Sequence, residues 1–298
     1  MRHAILGAGG VGGLIGACLA RSGESVIMVV RPESLAQYPE QLHLESAFGD
    51  FSVPVSRASM VPAADVLWIT VKATQLGAAL ASFTKPDAVR AIVPLLNGID
   101  HLAVLRTKYG DEKVIAATIA GETERIAPGH IVHRTAFARL NVSSIGRNLL
   151  GTTVDEFQKM GFECRFIDDE PTLMWSKLVF LAAFALTTTA SGKTTGEVLS
   201  DPGWRQLGLS CIREASAVAV AEGAKIDADA VIASVVKMPG NMRSSMQKDV
   251  ERGNTPELDA IAGPILRGGQ RHGIEVPATR NLVAAVERRA GRSASLLA

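Results

Sequence analysis

The chain has 298 residues, with 31 Lys and Arg against 30 Asp and Glu and a formal net charge of +1. That balance offers no electrostatic case for nucleic acid or an anionic membrane. Hydrophobic residues make up 47% and charged residues 20%, which suits one large or two ordinary domains and argues against disorder.

The first thirty residues read as strand, glycine-rich turn, helix, strand. Ala4-Ile5-Leu6 is a short apolar run that meets Gly7-Ala8-Gly9-Gly10-Val11-Gly12, and small or apolar residues continue to Ala20. Val26 to Val30 is a second buried strand. A G-x-G-x-x-G turn in this setting is the dinucleotide fingerprint. Gly7 allows the turn, Gly9 lets the backbone approach a pyrophosphate, and Gly12 allows close helix packing. The helix N-terminus offers N–H groups to the phosphates. The second strand ends at Arg31, where an NAD site would carry Asp or Glu. A guanidinium there suits a 2′-phosphate, so the pattern predicts NADP(H). The uncharged stretch 4–20 follows Arg2, as a signal peptide would, but so many glycines make a poor apolar segment.

Further along, short strands around Leu42-His43-Leu44 and at 51–55 flank a turn at Gly49-Asp50. The continuous apolar run 65–71 reads as a strand buried in a parallel sheet and ends at Lys72. A helix over 74–83 follows, then a strand over 91–96 ending in Asn97-Gly98, a helix over 101–109 and a strand over 114–117. Alternating strands and helices imply a Rossmann-type, doubly wound parallel sheet. Ligands bind such sheets beyond the carboxyl ends of the strands. Lys72 and Asn97 both stand there. Lys72 suits phosphate or ribose and Asn97 suits nicotinamide or substrate, although an exposed Lys and an Asn-Gly turn would look the same. The stretch 126–132 reads as a hairpin turn with a strand leaving it, and 141–146 as that strand's partner. His130 and His133 would point to opposite faces of a strand, which predicts surface histidines and no metal pair. A helix near 154–160 and a strand near 164–167 complete the half.

From Asp168 onward helical periodicity dominates, and the boundary is placed near 167, giving domains 1–167 and 168–298. Asp168-Asp169-Glu170-Pro171 opens a helix that runs to about Ala190 with Lys177 its one charge after the first turn. Its apolar core, 178–186, falls short of the ~20 residues a membrane span needs. Further helices are expected over 204–222, 228–236, 241–252, 255–271 and 278–289, with Gly263-Pro264 kinking or splitting the fourth of these. Ser191-Gly192-Lys193-Thr194 imitates the end of a P-loop, but Thr187 stands where the motif needs its first Gly. The cysteines Cys18, Cys164 and Cys211 are scattered without a C-x-x-C, which points away from disulfides and zinc and toward a reducing, cytoplasmic setting.

A nucleotide-binding half followed by a helical half is a common dehydrogenase arrangement. Hydride transfer to a carbonyl builds negative charge on oxygen, which needs a cation or acid within hydrogen-bonding reach. Lys177, on an apolar helix, would be partly desolvated with a lowered pKa. It would equally serve as a lysine snorkelling to solvent. Glu257 follows Thr255-Pro256 in a first helical turn, where it could orient the amine or a ribose, or simply complement the helix dipole. Asn241 and Ser245, four apart on a presumed helix, would share a face and could bind a substrate carboxylate or hydroxyl.

Taken in order, Gly7 to Gly12, Arg31, Val71-Lys72-Ala73, Leu96-Asn97-Gly98, Trp175-Ser176-Lys177-Leu178, Ser244-Ser245-Met246, Glu257-Leu258-Asp259 and His272-Gly273-Ile274 resemble the ketopantoate reductase (2-dehydropantoate 2-reductase) family across nearly the whole chain. The resemblance implies reduction of the 2-oxo group of ketopantoate by NADPH, giving pantoate for pantothenate biosynthesis. It implies that Gly7, Ala8, Gly9, Gly10, Val11, Gly12, Arg31 and Lys72 bind the cofactor. Asn97 would touch cofactor and substrate, Lys177 would donate the proton, Ser245 would hold substrate, and Glu257 would bind ribose or steady Lys177. It also implies Asn at three positions that here hold Leu181, Ala185 and Thr195. A pocket short of those polar groups favours a less polar ligand, so a different 2-oxo acid is the second expectation. A non-catalytic NADP(H)-sensing protein on the same scaffold is the third. The only partner expected is a small 2-oxo acid, with homodimerisation through the helical half left open.

Overall fold

The computed structural model describes residues 1–291, so the expected second domain, 168–298, runs past the described residues. Chain contacts divide the polypeptide between Asp168 and Asp169, and they assign the tetrapeptide Asn97–Asp100 to the helical unit.

The first unit opens with β1 (Arg2–Leu6), α1 (Gly10–Arg21), β2 (Ser25–Val29) and α2 (Pro32–Leu35). It continues through β3 (Gln41–Ser46), β4 (Gly49–Pro54), β5 (Ser56–Ala58), β6 (Ala64–Ile69), α3 (Leu76–Ala79) and β7 (Val89–Pro94). Then come α4 (His101–Tyr109), β8 (Ala117–Ala120), β9 (Thr123–Ala127), β10 (His130–His133), β11 (Arg139–Ser143), α5 (Arg147–Lys159) and β12 (Glu163–Ile167). The Rossmann-type sheet is parallel, in the order β5-β2-β1-β6-β7. Its central strands are mostly apolar because both faces are covered, and Ile5, Met28, Leu67 and Trp68 are fully buried.

Two smaller sheets, β4-β3-β10-β9 and β12-β11-β8, take up the remaining strands. Val114 makes only an isolated parallel bridge to Ile92, and β8 starts later, at Ala117. The hairpin expected at 126–132 forms as β9 and β10, but β10 runs parallel to β3, while β11 pairs with β12 and β8. Period-2 patterning identifies strands without identifying partners, which is why the 141–146 pairing was misassigned. The helix expected over 74–83 breaks into a 3₁₀ turn, α3 and a second 3₁₀ turn. Gly77 and the short run of buried positions give a longer helix little support. His133 is a correction as well. It is buried, and its Nδ1 lies 2.9 Å from Ser46 Oγ. Burial holds its pKa below the ordinary histidine value.

The second unit is helical: α6 (Glu170–Ser191), α7 (Thr195–Ser200), α8 (Pro202–Ala221), α9 (Ala228–Val236), α10 (Ser245–Glu251), α11 (Leu258–His272) and α12 (Pro277–Arg289). Asp169 caps α6 by accepting a hydrogen bond from the Thr172 amide. With 22 residues, α6 is long and apolar enough to cross a bilayer, contrary to the shorter run expected. It is instead the core helix of this unit, with Leu178, Val179, Ala182 and Leu186 buried against α8, α10 and α12. The P-loop imitation has a plain explanation, since Gly192 is the left-handed residue that ends α6 (φ 72°). Pro264 does not split α11, which is one helix from Leu258 to His272. His272 is therefore that helix's last residue, and its Nε2 lies 2.9 Å from Glu222.

Candidate active site

In the first unit, the glycine turn has the geometry a dinucleotide requires. Gly7 has φ +115°, and a Cβ there would lie 2.7 Å from the Val71 amide nitrogen. A Cβ on Gly12 would lie 2.0 Å from the Gly7 carbonyl oxygen, so the helix can approach the strand only with glycine at that position. Thr70 locks the turn by donating from Oγ1 to the Gly7 carbonyl at 2.7 Å. By contrast, a Cβ on Gly9 would meet nothing within 4 Å. Gly9 is the N-cap of α1, and no acid stands in that helix's first turn. The first amides of α1 have no intrahelical acceptor, so they and the open Gly9 backbone could hold a pyrophosphate. The residues present fit a dinucleotide.

Two residues missed by sequence reasoning flank this loop. Thr123 in β9 lies against Gly10, where a Cβ would be 2.7 Å from the Thr123 carbonyl oxygen. Arg125, two residues on, reaches the Ala8 carbonyl at 3.5 Å from Nη1. Neither belongs to the glycine motif, and their approach depends on where the second sheet puts β9. Arg31 follows β2 with its side chain 80% exposed and Glu33 beside it, at 3.4 Å, so its guanidinium is open to solvent. Lys72 stands just past β6, in extended conformation before a 3₁₀ turn.

In the second unit, the fold brings Asn97, Lys177 and Glu257 together. Lys177 is half-buried on α6. Burial pulls its pKa well below the ordinary lysine value, to about 8, opposed by the nearby Glu257 carboxylate. Glu257 is only 5% exposed. It is the N-cap residue of α11, yet its side chain makes no cap bond and instead accepts from Asn97 Nδ2 at 3.0 Å. Simple stabilisation of a helix end therefore does not account for this carboxylate. Asn97 is held in place by Gly98, with φ +83° and a would-be Cβ only 2.3 Å from the Ala260 carbonyl oxygen. Pro264 has no N–H to give that carbonyl, its i−4 partner, so the break in the helical ladder faces Gly98.

Comparison with known proteins shows the family. The model of the ketopantoate reductase PanE/ApbA family matches residues 3–146, and that of its C-terminal domain matches residues 171–290. The chain belongs to the ketopantoate reductase family. Among its relatives, the 2-dehydropantoate 2-reductase of Caulobacter vibrioides is 30% identical over 293 residues, covering 94% of this chain and 96% of that one. A PanE/ApbA family ketopantoate reductase from Ralstonia eutropha JMP134 superposes with a TM-score of 0.84 at 30% identity, covering 98% of this chain and 99% of that one. A D-mandelate dehydrogenase solved with NADH and anilino(oxo)acetate shares the fold, with a TM-score of 0.86 at 20% identity and full coverage of both chains. As a family member the protein is an oxidoreductase of the dehydrogenase class.

Elsewhere this ketopantoate reductase relative departs from the sequence reading. The helix expected over 241–252 begins only at Ser245, because Ser244 caps it by accepting from the Gln247 amide at 3.1 Å. Asn241 lies in the turn before, so the two do not share a helix face. That turn is strapped to the start of α7 through Thr195 N to Met242 O (3.0 Å) and Gly196 N to Gly240 O (2.8 Å). Both Asn241 and Ser245 are exposed. Thr195 is buried and spends its hydroxyl on the Met242 carbonyl at 3.1 Å. Leu181 and Ala185 follow Lys177 at four and eight residues on the same face of α6. Neither has a polar side chain to offer. Gly98→Ala should be strained and displace Asn97 from Glu257. It is expected to cost about 1–3 kcal/mol, read as a lowered midpoint in urea unfolding, whereas Gly77→Ala, which meets open space, should leave it unchanged or raised.

Proposed function

We propose that the protein reduces the 2-oxo group of ketopantoate (2-dehydropantoate) to pantoate, with NADPH as reductant and in the service of pantothenate biosynthesis. The observation that carries this reading is the half-buried Lys177 amine beside the Glu257–Asn97 pair. When bound, a reduced nicotinamide supplies the hydride that adds to C2. Lys177 donates its proton from Nζ to the carbonyl oxygen as charge builds there, and the neutral amine is reprotonated from water. A pKa of about 8 leaves the amine mostly protonated at pH 7, yet much more acidic than a solvated lysine. Glu257 keeps the ammonium charged and aimed, and Asn97 fixes the carboxylate by donating to it. Gly7 to Gly12 seat the pyrophosphate, Arg31 grips the 2′-phosphate, Arg125 adds charge at the pyrophosphate, and Lys72 serves the ribose-phosphate side. Asn241 and Ser245 are the exposed polar groups proposed to receive the substrate's carboxylate or hydroxyl.

A second reading keeps this chemistry on a less polar 2-oxo acid. Leu181 and Ala185 on the Lys177 face of α6 favour it. The shared fold with a D-mandelate dehydrogenase solved with anilino(oxo)acetate gives the reading a chemical direction, toward aromatic side groups. A panel of 2-oxo acids assayed by NADPH oxidation separates the two. Ketopantoate with the highest kcat/KM by a wide margin supports the first reading, and an aryl or branched 2-oxo acid in that place supports the second.

Lys177→Ala should lower kcat by about 100- to 10,000-fold while NADPH affinity, measured by fluorescence, stays within a few-fold. In the wild type, kcat/KM for reduction should be flat below pH 8 and fall with rising pH above about 8, as the amine loses the proton it must give. Retained turnover in Lys177→Ala would falsify the assignment. Arg31→Ala should raise the KM for NADPH by about 10- to 100-fold, the worth of one charge-assisted phosphate contact, and leave NADH nearly untouched. Arg125→Ala should instead weaken NADPH and NADH alike.

A further inference from the structure

The outer face of the small mixed sheet carries an array of polar side chains that the proposed reduction does not use. In β3, His43 and Glu45 are two residues apart and so share a face, while Leu42 and Leu44 are buried on the other. The register sets Ser52 of β4 opposite His43 and Asp50 opposite Glu45. On the other side of β3, the parallel strand β10 sets His130 directly opposite His43. The two imidazoles meet edge to face, with centroids 4.5 Å apart. One ligand atom from each of His43, Glu45 and His130 falls within a span of 4.8 Å.

We propose that His43, Glu45 and His130 form a binding site for a divalent zinc-class ion, with Asp50 beside it and solvent completing the coordination. Two imidazoles and a carboxylate are the ligand set of three-ligand zinc sites. Around a tetrahedral zinc, with bonds of about 2.0–2.1 Å, ligand atoms lie about 3.3 Å apart. Here Glu45 Oε1 is 2.6 Å from His130 Nε2 and 3.9 Å from His43 Nε2, which brackets that separation. Rotation of the side chains alone would equalise the two. Asp50 Oδ1 stands 3.6 Å from His43 Nε2.

Ser52 is placed to orient His43 when an ion binds. Its Nδ1 lies 3.1 Å from Ser52 Oγ. A proton donated there leaves the Nε2 lone pair facing Glu45, the outer-shell arrangement that orients metal-bound histidines. The three ligand side chains are 31% to 44% exposed, so an ion can enter from solvent. A bound ion would staple β3 to β10, strands brought together from distant parts of the sequence.

The test is calorimetric titration of untagged, EDTA-treated and dialysed protein with zinc chloride. Wild type and His272→Ala, which removes a histidine outside the array, should each bind one zinc per chain. His43→Ala, His130→Ala and Glu45→Gln should each weaken or abolish that binding, and Ser52→Ala should weaken it by about tenfold. Glu45→Gln keeps the side chain's shape and hydrogen bonding, so a folded protein by circular dichroism that no longer binds supports the site even if the histidine variants do not fold. No saturable zinc binding by wild type, or binding that persists undiminished in Glu45→Gln, overturns the proposal. The readout needs no turnover, so its outcome is independent of the reductase assignment.

Discussion

An ammonium taken out of water loses hydration that a single nearby carboxylate does not fully replace, and its pKa falls accordingly. That is the state of Lys177, held on the core helix of its unit with a pKa of about 8 and Glu257 as the charge that limits the fall. Several neighbouring residues hold the elements that carry this pair. Trp175 and Leu178, the neighbours of Lys177 along α6, are buried and fix the helix. Glu257 is turned away from capping α11 and is oriented by Asn97. Asn97 is in turn fixed by a glycine that alone can sit against the Ala260 carbonyl. A Lys–Glu pair of this kind adds little net stability and would be easily replaced by apolar side chains. Stability alone therefore gives no reason for a lysine at this position of α6.

The nucleotide loop is a different kind of constraint, set by contact distances. Gly7 and Gly12 stand where any Cβ would meet backbone, and Gly9 stands where nothing is met at all. The first two are glycine for the sake of the fold, while the third is under no such packing constraint. The strand β9 brings Arg125 to the rim of this loop, so the small mixed sheet reaches the glycine turn as well as covering α1. The opposite face of the same sheet carries the His43, Glu45 and His130 array. The two polar groups of this sheet therefore stand on opposite sides of it.

Much of this was legible in the residue pattern because it rests on local rules. The glycine spacing, the buried parallel strands, the Asp169 cap of α6 and the isolation of Lys177 on an apolar helix all follow from neighbours within a turn or two along the chain. These set the fold class, the family and the candidate amine and nucleotide residues. What depended on pairing between distant segments was not legible. The strand leaving the 126–132 hairpin took β3 as its neighbour where 141–146 had been expected, His133 turned inward, and the start of α10 slipped past Asn241 because Ser244 is the better cap. Only the tertiary structure set Asn97 against Glu257, laid Arg125 beside Ala8 and put His130 opposite His43. Side-chain periodicity along a segment fixes which face is buried, but the identity of the segment that buries it is a long-range choice made by packing.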